Sequence, residues 1–122
     1  MEFSENKPIY LQIADQIMDE VERDPGLAGE RLASVRDFAA RSGVNANTVM
    51  RTYTWLQQEE IIYNQRGIGY FYSPDARDKV IEMRRRKFMD RELDYFFNRM
   101  RSFEVEPQAL EQLYREWLTQ NK

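Results

Sequence analysis

The spacing of apolar residues before position 73 limits this chain to a small helical fold with a β-hairpin attached. Residues 8–22 carry Ile or Val at every fourth position and predict an amphipathic helix. A helix of about two turns should follow Ser34, and a third helix is predicted over residues 46–59, after a tight turn at Gly43. Two runs of β-branched and aromatic residues then predict a hairpin within residues 61–72.

Both short helices begin at residues that can cap them. Ser34 precedes Asp37 by three positions, the pattern in which a hydroxyl and a carboxylate each satisfy a free backbone N–H. Asn45 is placed to cap the third helix. That helix should bury Val49, Tyr53 and Leu56, which are spaced by four and three residues.

A boundary by composition falls at residues 73–75, and a long stretch without Gly or Pro runs from residue 76 to residue 103. A break at residues 104–107 and a last amphipathic helix follow, so we expect the two helices to fold back as a hairpin. Its apolar stripe could line a ligand pocket, but two helices enclose little volume, and a packing surface is the simpler interpretation. Such a patch is larger than monomers usually expose and predicts a two-fold partner. The residues expected at that dimer surface are Phe88, Leu93, Phe96, Phe97, Met100, Leu113 and Trp117.

Composition excludes several classes of function. The chain has 122 residues with no Cys and no His, so it lacks thiol chemistry, the commonest general base and the usual ligands of zinc. Its candidate carboxylate pairs are adjacent in sequence and would not face each other on a helix. We therefore expect no enzyme, no metal site and no cofactor. No apolar run approaches the ~20 residues that span a bilayer, which favours a cytoplasmic location without membrane contact.

Two short helices at a steep angle around a glycine turn have the geometry of a helix-turn-helix, whose second helix can lie in the major groove of DNA. The exposed side of the third helix would present Asn45, Asn47, Thr48 and Arg51. Asn and Arg can read base edges through paired hydrogen bonds. In the alternative interpretation, Asn45 is only a cap and the rest is a solvated face. The hairpin that follows, with Arg66 and Gly67 at its tip, favours the first interpretation.

Three segments together carry a resemblance to a known family. Residues 30–41, 43–49 and 66–71 resemble the winged-helix domain of the GntR family of bacterial transcription regulators, and residues 8–13 are similar to its opening helix. The short helical tail resembles the YtrA-type subgroup, whose members lack a large effector domain and dimerise through the tail. The resemblance implies a mainly α fold: a winged helix-turn-helix domain at residues 1–75 and a dimerisation tail at residues 76–122.

The resemblance also implies roles for individual residues. Ser34 and Arg36 would meet the DNA backbone or the groove edge. Asn45, Asn47 and Thr48 would open the recognition helix, while Arg66 and Gly67 would form a wing tip near the minor groove. The chain departs from the family pattern at three positions: Ala33 replaces a proline, Met50 a basic residue and Glu60 a glycine that ends the recognition helix. Base reading would then rest on Asn47 and Arg51.

By this resemblance, the chain is expected to bind double-stranded DNA as a homodimer at a palindromic operator, most simply as a repressor. The subgroup resemblance suggests genes for a transport system as its targets. An alternative is a winged-helix adaptor that binds proteins without reading DNA. A small-molecule effector stays an open question, as does the role of the basic run at residues 84–87.

The distribution of charge favours the DNA interpretation. The formal net charge is −3, which by itself opposes phosphate binding. Residues 1–30 carry a balance of −6, whereas residues 31–70 carry +2. The acidity is concentrated in the opening segment, and the segment expected to meet phosphate is locally positive. Since +2 is modest, tight binding should depend on the dimer and on specific contacts.

Overall fold

A computed structural model describes residues 6–122 of the chain. It divides into two compact units, of which the first ends at Met83 and the second is Arg84–Lys122. The sequence predicted the boundary at residues 75 and 76. The first unit extends further because Ala76 and Val80, in the helix that begins the expected tail, are buried in its core.

The elements follow the predicted order, and the mainly helical fold with one β-hairpin is confirmed. The first unit contains α1 (Ile9–Arg23), a 3₁₀ turn (Pro25–Leu27), α2 (Val35–Ser42), α3 (Ala46–Gln58), β1 (Ile62–Gln65), β2 (Gly69–Tyr72) and most of α4 (Ala76–Lys87). A π-helical turn (Phe88–Glu92), α5 (Leu93–Ser102) and α6 (Pro107–Gln120) follow. The π turn interrupts what the sequence predicted as one regular helix.

The core of the first unit forms where α1 crosses α3. Ile13, Ile17 and Val21 of α1 are buried there, as the fourfold spacing predicts, whereas Ile9 at the start of the same row is 45% exposed. From α3, Val49 and Leu56 are buried. Each such side chain contributes about 1.5–3 kcal/mol of burial free energy, so this contact holds α3 firmly by its inner face.

The hairpin has a third, partial strand. β1 and β2 pair antiparallel, with Ile62 opposite Tyr72 and Gln65 opposite Gly69. The segment before α2 lies along the other edge of β2: the Leu32 N–H donates to the Tyr70 carbonyl at 2.9 Å, and the Tyr72 N–H donates to the Glu30 carbonyl at 2.9 Å. A two-stranded hairpin alone is marginal in water. These bonds therefore attach the hairpin to the helices.

In the second unit, α5 and α6 make few close backbone contacts with each other, and no residue of either helix is buried. At the predicted dimer surface, Phe96 is 44% exposed and Trp117 is 56% exposed. Two helices alone bury too little apolar area to offset the conformational entropy lost when both helices become ordered. Their apolar side chains therefore remain exposed to solvent. No helix among residues 6–122 is long and apolar enough to cross a membrane.

Glu60 ends α3 in a left-handed conformation, with φ 62°. The Glu60 N–H donates to the Gln57 carbonyl and the Ile61 N–H to the Leu56 carbonyl, both at 3.0 Å. This is the backbone pattern that usually places glycine at the end of a helix. A residue with a Cβ is strained in this conformation, by about 1–2 kcal/mol.

Substitution of Glu60 tests this strain. Glu60→Gly and Glu60→Ala both lose the exposed ion pair to Lys79, so they differ mainly in the Cβ. We expect the glycine variant to have the higher free energy of unfolding, by about 1 kcal/mol, as measured by urea denaturation. Equal stability of the two variants would show that the position is not strained.

Candidate nucleic-acid interface

α2 and α3 each begin at a capping residue, and a glycine ends α2 at the turn between them. Ser34 Oγ accepts a hydrogen bond from the Asp37 N–H at 3.1 Å, and Asn45 Oδ1 accepts one from the Asn47 N–H at 2.8 Å. Gly43 closes α2 with φ 72°, a conformation that favours glycine. The predicted caps at Ser34 and Asn45 are confirmed. Only three residues, 43–45, separate the end of α2 from the start of α3.

The outer face of α3 is polar and open to solvent, as predicted. Asn45, Asn47 and Arg51 are exposed and Thr48 is half-buried. Met50 is also exposed, at 44%, and its sulfur accepts a hydrogen bond from the Tyr70 hydroxyl at 3.8 Å. This contact joins the middle of α3 to the hairpin. The outer face of α3 and the hairpin therefore belong to one continuous surface.

Arg51 has a neighbour that the sequence did not reveal. Its guanidinium carbon lies 4.1 Å from the centre of the Tyr10 ring, within the range of a cation–π contact. The same stretch of α1 is joined to α3 by Thr52, whose hydroxyl donates to the Tyr10 carbonyl at 2.8 Å. The contact with Tyr10 limits the positions that the Arg51 side chain can take.

The hairpin places the predicted wing tip at an exposed turn. The Ile68 N–H donates to the Gln65 carbonyl at 2.9 Å and closes the loop over Arg66 and Gly67. Gly67 has φ 80°, and a Cβ built on it would meet no atom within 4 Å. Glycine is thus required there by the backbone turn, and the space around it is open to a ligand. Arg66 is exposed.

Arg36 and Ser34 lie at the first turn of α2, where both are exposed. Arg36, Arg51 and Arg66 thus occur on three different elements of the first unit, α2, α3 and the hairpin, and each is open to solvent. Exposed arginines are the side chains that most often bind the phosphates of nucleic acids.

Tyr53 connects the elements that carry these residues. It is 1% exposed, and its ring makes edge contacts with Phe38 of α2 and Tyr70 of β2 at centroid distances of 6.2 and 5.0 Å. Its hydroxyl donates to the Ala33 carbonyl at 2.7 Å. Burial raises the pKa of the Tyr53 phenol well above its ordinary value. Tyr53 is therefore a neutral donor that holds α3 to the start of α2.

Comparison with known proteins identifies relatives of matching length. The chain is 37% identical over 100 residues to YhcF of Bacillus subtilis, an uncharacterised HTH-type transcriptional regulator, covering 82% of this chain and 81% of the relative. It is 36% identical over 75 residues to the transcriptional repressor YtrA of the same organism, covering 62% of this chain and 58% of that protein. A GntR-family transcriptional regulator from Bacteroides thetaiotaomicron has a similar structure, with a TM-score of 0.83, 36% identity and coverage of 94% and 100%. No protein-family model matches the chain.

Tyr53→Phe tests the connection between α3 and α2. The variant leaves the Ala33 carbonyl without its hydroxyl donor, so we expect the free energy of unfolding to fall by about 1–2 kcal/mol in urea denaturation. Tyr63→Phe, on the exposed face of the hairpin, is the matched control and should change little.

The raised pKa of Tyr53 adds a pH signature. The stability that neutral Tyr53 supplies is fully present below pH ~10, where the phenol of the unfolded chain also stays protonated, and is lost at higher pH. The parent should therefore lose stability more steeply than Tyr53→Phe above pH ~10. The same slope in both proteins would contradict a buried, neutral phenol.

Proposed function

Because the chain belongs to the GntR family of helix-turn-helix transcription regulators, we propose that it binds double-stranded DNA as a homodimer at a palindromic operator and represses transcription. The observation that carries this proposal is the continuous surface formed by the outer face of α3 and the hairpin, joined by Met50 and Tyr70. A helix whose inner face is buried and whose outer face is polar can enter a major groove while its inner face stays packed in the core.

Roles follow from position on this surface. Asn47 and Arg51 on α3 would read base edges, Arg51 from its place on the Tyr10 ring. Ser34 and Arg36 would hold phosphates at the start of α2. Asn45 and Thr48 would meet the groove edge, with the Asn45 side chain also capping α3. Arg66 and Gly67 would reach the minor groove from the wing, because the glycine leaves the backbone bare there.

In this proposal, the helical tail binds the second protomer. Phe88, Phe96, Phe97, Leu113 and Trp117 are each between 44% and 57% exposed, while Leu93 and Met100 are half-buried. An apolar surface on this scale favours a partner of the same chemistry, and a second copy of α5 and α6 offers one. Two wings and two recognition helices would then match the two halves of a palindrome.

The proposal also covers the effect of DNA binding on transcription and the genes that are controlled. The relative YtrA is named as a repressor, and occupying an operator is the simplest way for a DNA-binding protein to repress transcription. Genes for a transport system are the proposed targets. A site on DNA also implies a cytoplasmic location.

Two substitutions test the reading surface. Arg36→Ala should weaken binding to the chain's own upstream DNA at every salt concentration and reduce the salt slope by about 1, because one phosphate contact is lost. Asn47→Ala should leave that slope unchanged and reduce the preference for the specific site about tenfold or more. Arg23→Ala, exposed at the end of α1, removes the same charge and should bind as the parent does.

Fluorescence anisotropy across a salt series measures both quantities. If Arg36→Ala and Asn47→Ala bind as tightly as the parent throughout, the proposed surface is wrong. A parent protein that binds no DNA even at low salt would instead favour the adaptor alternative.

A charge placed on the apolar stripe tests the dimer. Phe96→Glu should convert a dimer at micromolar concentration into a monomer, because a carboxylate in an apolar interface loses its hydration. Asn98→Glu adds the same carboxylate two positions away, at about 200° around the helix, and should remain dimeric. Sedimentation velocity separates the two masses, and a parent that sediments as a monomer would remove the role proposed for the tail.

A further inference from the structure

The wing tip is held by a side chain that lies 37 residues away in sequence. Arg31 Nη2 donates a hydrogen bond to the main-chain carbonyl of Ile68, the last residue of the wing loop. Arg31 belongs to the segment before α2, and no local pattern of residues predicts that it pairs with the hairpin. Its exposure and charge alone would have made it one more candidate for phosphate.

The backbone under Arg31 is itself fixed to β2. Arg31 lies opposite Phe71 as an antiparallel bridge, with the hydrogen bonds of Leu32 to Tyr70 and of Tyr72 to Glu30 on either side. The guanidinium therefore starts from a defined place in the partial third strand. A long arginine anchored in this way loses less freedom on reaching the loop than one on a mobile segment.

Gly69 has the complementary feature. Its φ is +146°, and a Cβ built on it would lie 3.0 Å from both Nε and Nη2 of Arg31. Any side chain at position 69 would push the guanidinium away from the strand. At Gly67 only the backbone turn favours glycine, since nothing lies near it, whereas at Gly69 the positive φ and the room for Arg31 both favour glycine.

We propose that Arg31 is a positioning residue for DNA binding. It holds the wing tip in its binding conformation through the Ile68 carbonyl, and Gly69 leaves the space that the Arg31 guanidinium occupies. The proposal rests on the proposed DNA-binding function of the wing. A three-residue loop on a short hairpin loses freedom when it enters a groove. Arg31 orders the loop before DNA binds. It therefore raises the affinity for DNA indirectly, by holding Arg66 and Gly67 in place.

A positioning residue and a phosphate ligand differ in their measurable effects. An arginine bound to phosphate releases a counterion, so its loss lowers the salt slope, and its effect multiplies with that of any other contact. An arginine that acts through the wing leaves the slope unchanged, and its effect disappears once the wing contact itself is gone.

The first test needs no DNA. Hydrogen–deuterium exchange of the free protein should be faster at residues 66–69 in Arg31→Ala than in the parent, with α3 unchanged. Arg41→Ala, which removes an exposed arginine at the end of α2, is the charge-matched control and should exchange as the parent does. Unchanged exchange at residues 66–69 in Arg31→Ala would overturn the proposal even if the protein binds DNA as proposed.

The second test is a double-mutant cycle on the chain's own upstream DNA. We expect Arg31→Ala to weaken binding about tenfold, the loss typical of one charge-assisted hydrogen bond, with the salt slope of the parent. In an Arg66→Ala background, Arg31→Ala should have little further effect. Multiplicative losses with a reduced salt slope would make Arg31 an independent phosphate contact and overturn its role through the wing. A parent that binds no DNA would count against the proposed function, while the exchange test would still decide whether Arg31 orders the wing.

Discussion

The first unit depends on the contacts of one buried side chain, Tyr53 of α3. Its ring lies between Phe38 of α2 and Tyr70 of β2, and its hydroxyl fixes the Ala33 carbonyl at the start of α2. One side chain thus sets the position of the recognition helix relative to both neighbours. Since a phenol that is 1% exposed must keep its hydrogen-bond partner, the three elements have little freedom to move apart.

This constraint leaves the outer face of α3 free for recognition. Because α3 is held from within by Val49, Tyr53 and Leu56, its outward side chains can be polar without a cost to the core. Two contacts then orient side chains on this outer face. Arg51 lies over the Tyr10 ring, and Met50 accepts a hydrogen bond from Tyr70. The wing is attached a second time, through the partial third strand. The recognition helix and the wing therefore share the contact with Tyr53, and the wing has a further attachment to the segment before α2.

The sequence predicts features that depend on near neighbours and misses those that depend on distant ones. The caps at Ser34 and Asn45 and the buried row of α3 follow from local spacing, and the structure confirms them. The contacts of Arg51 with Tyr10 and of Arg31 with Ile68 join residues about 40 positions apart, which no periodicity reveals. The exposed apolar face of the tail was also predicted from its spacing, but spacing shows only which face needs covering and not which chain covers it.

Amide chemical-shift mapping with a short duplex from the chain's own upstream region tests the central claim most directly, namely that α3 and the wing form the DNA surface. At low salt, the account predicts that the largest shifts fall at residues 34–36, 45–51 and 66–69, on all three elements and in the same titration. Shifts confined to other residues, or no shift at any DNA concentration, would contradict it.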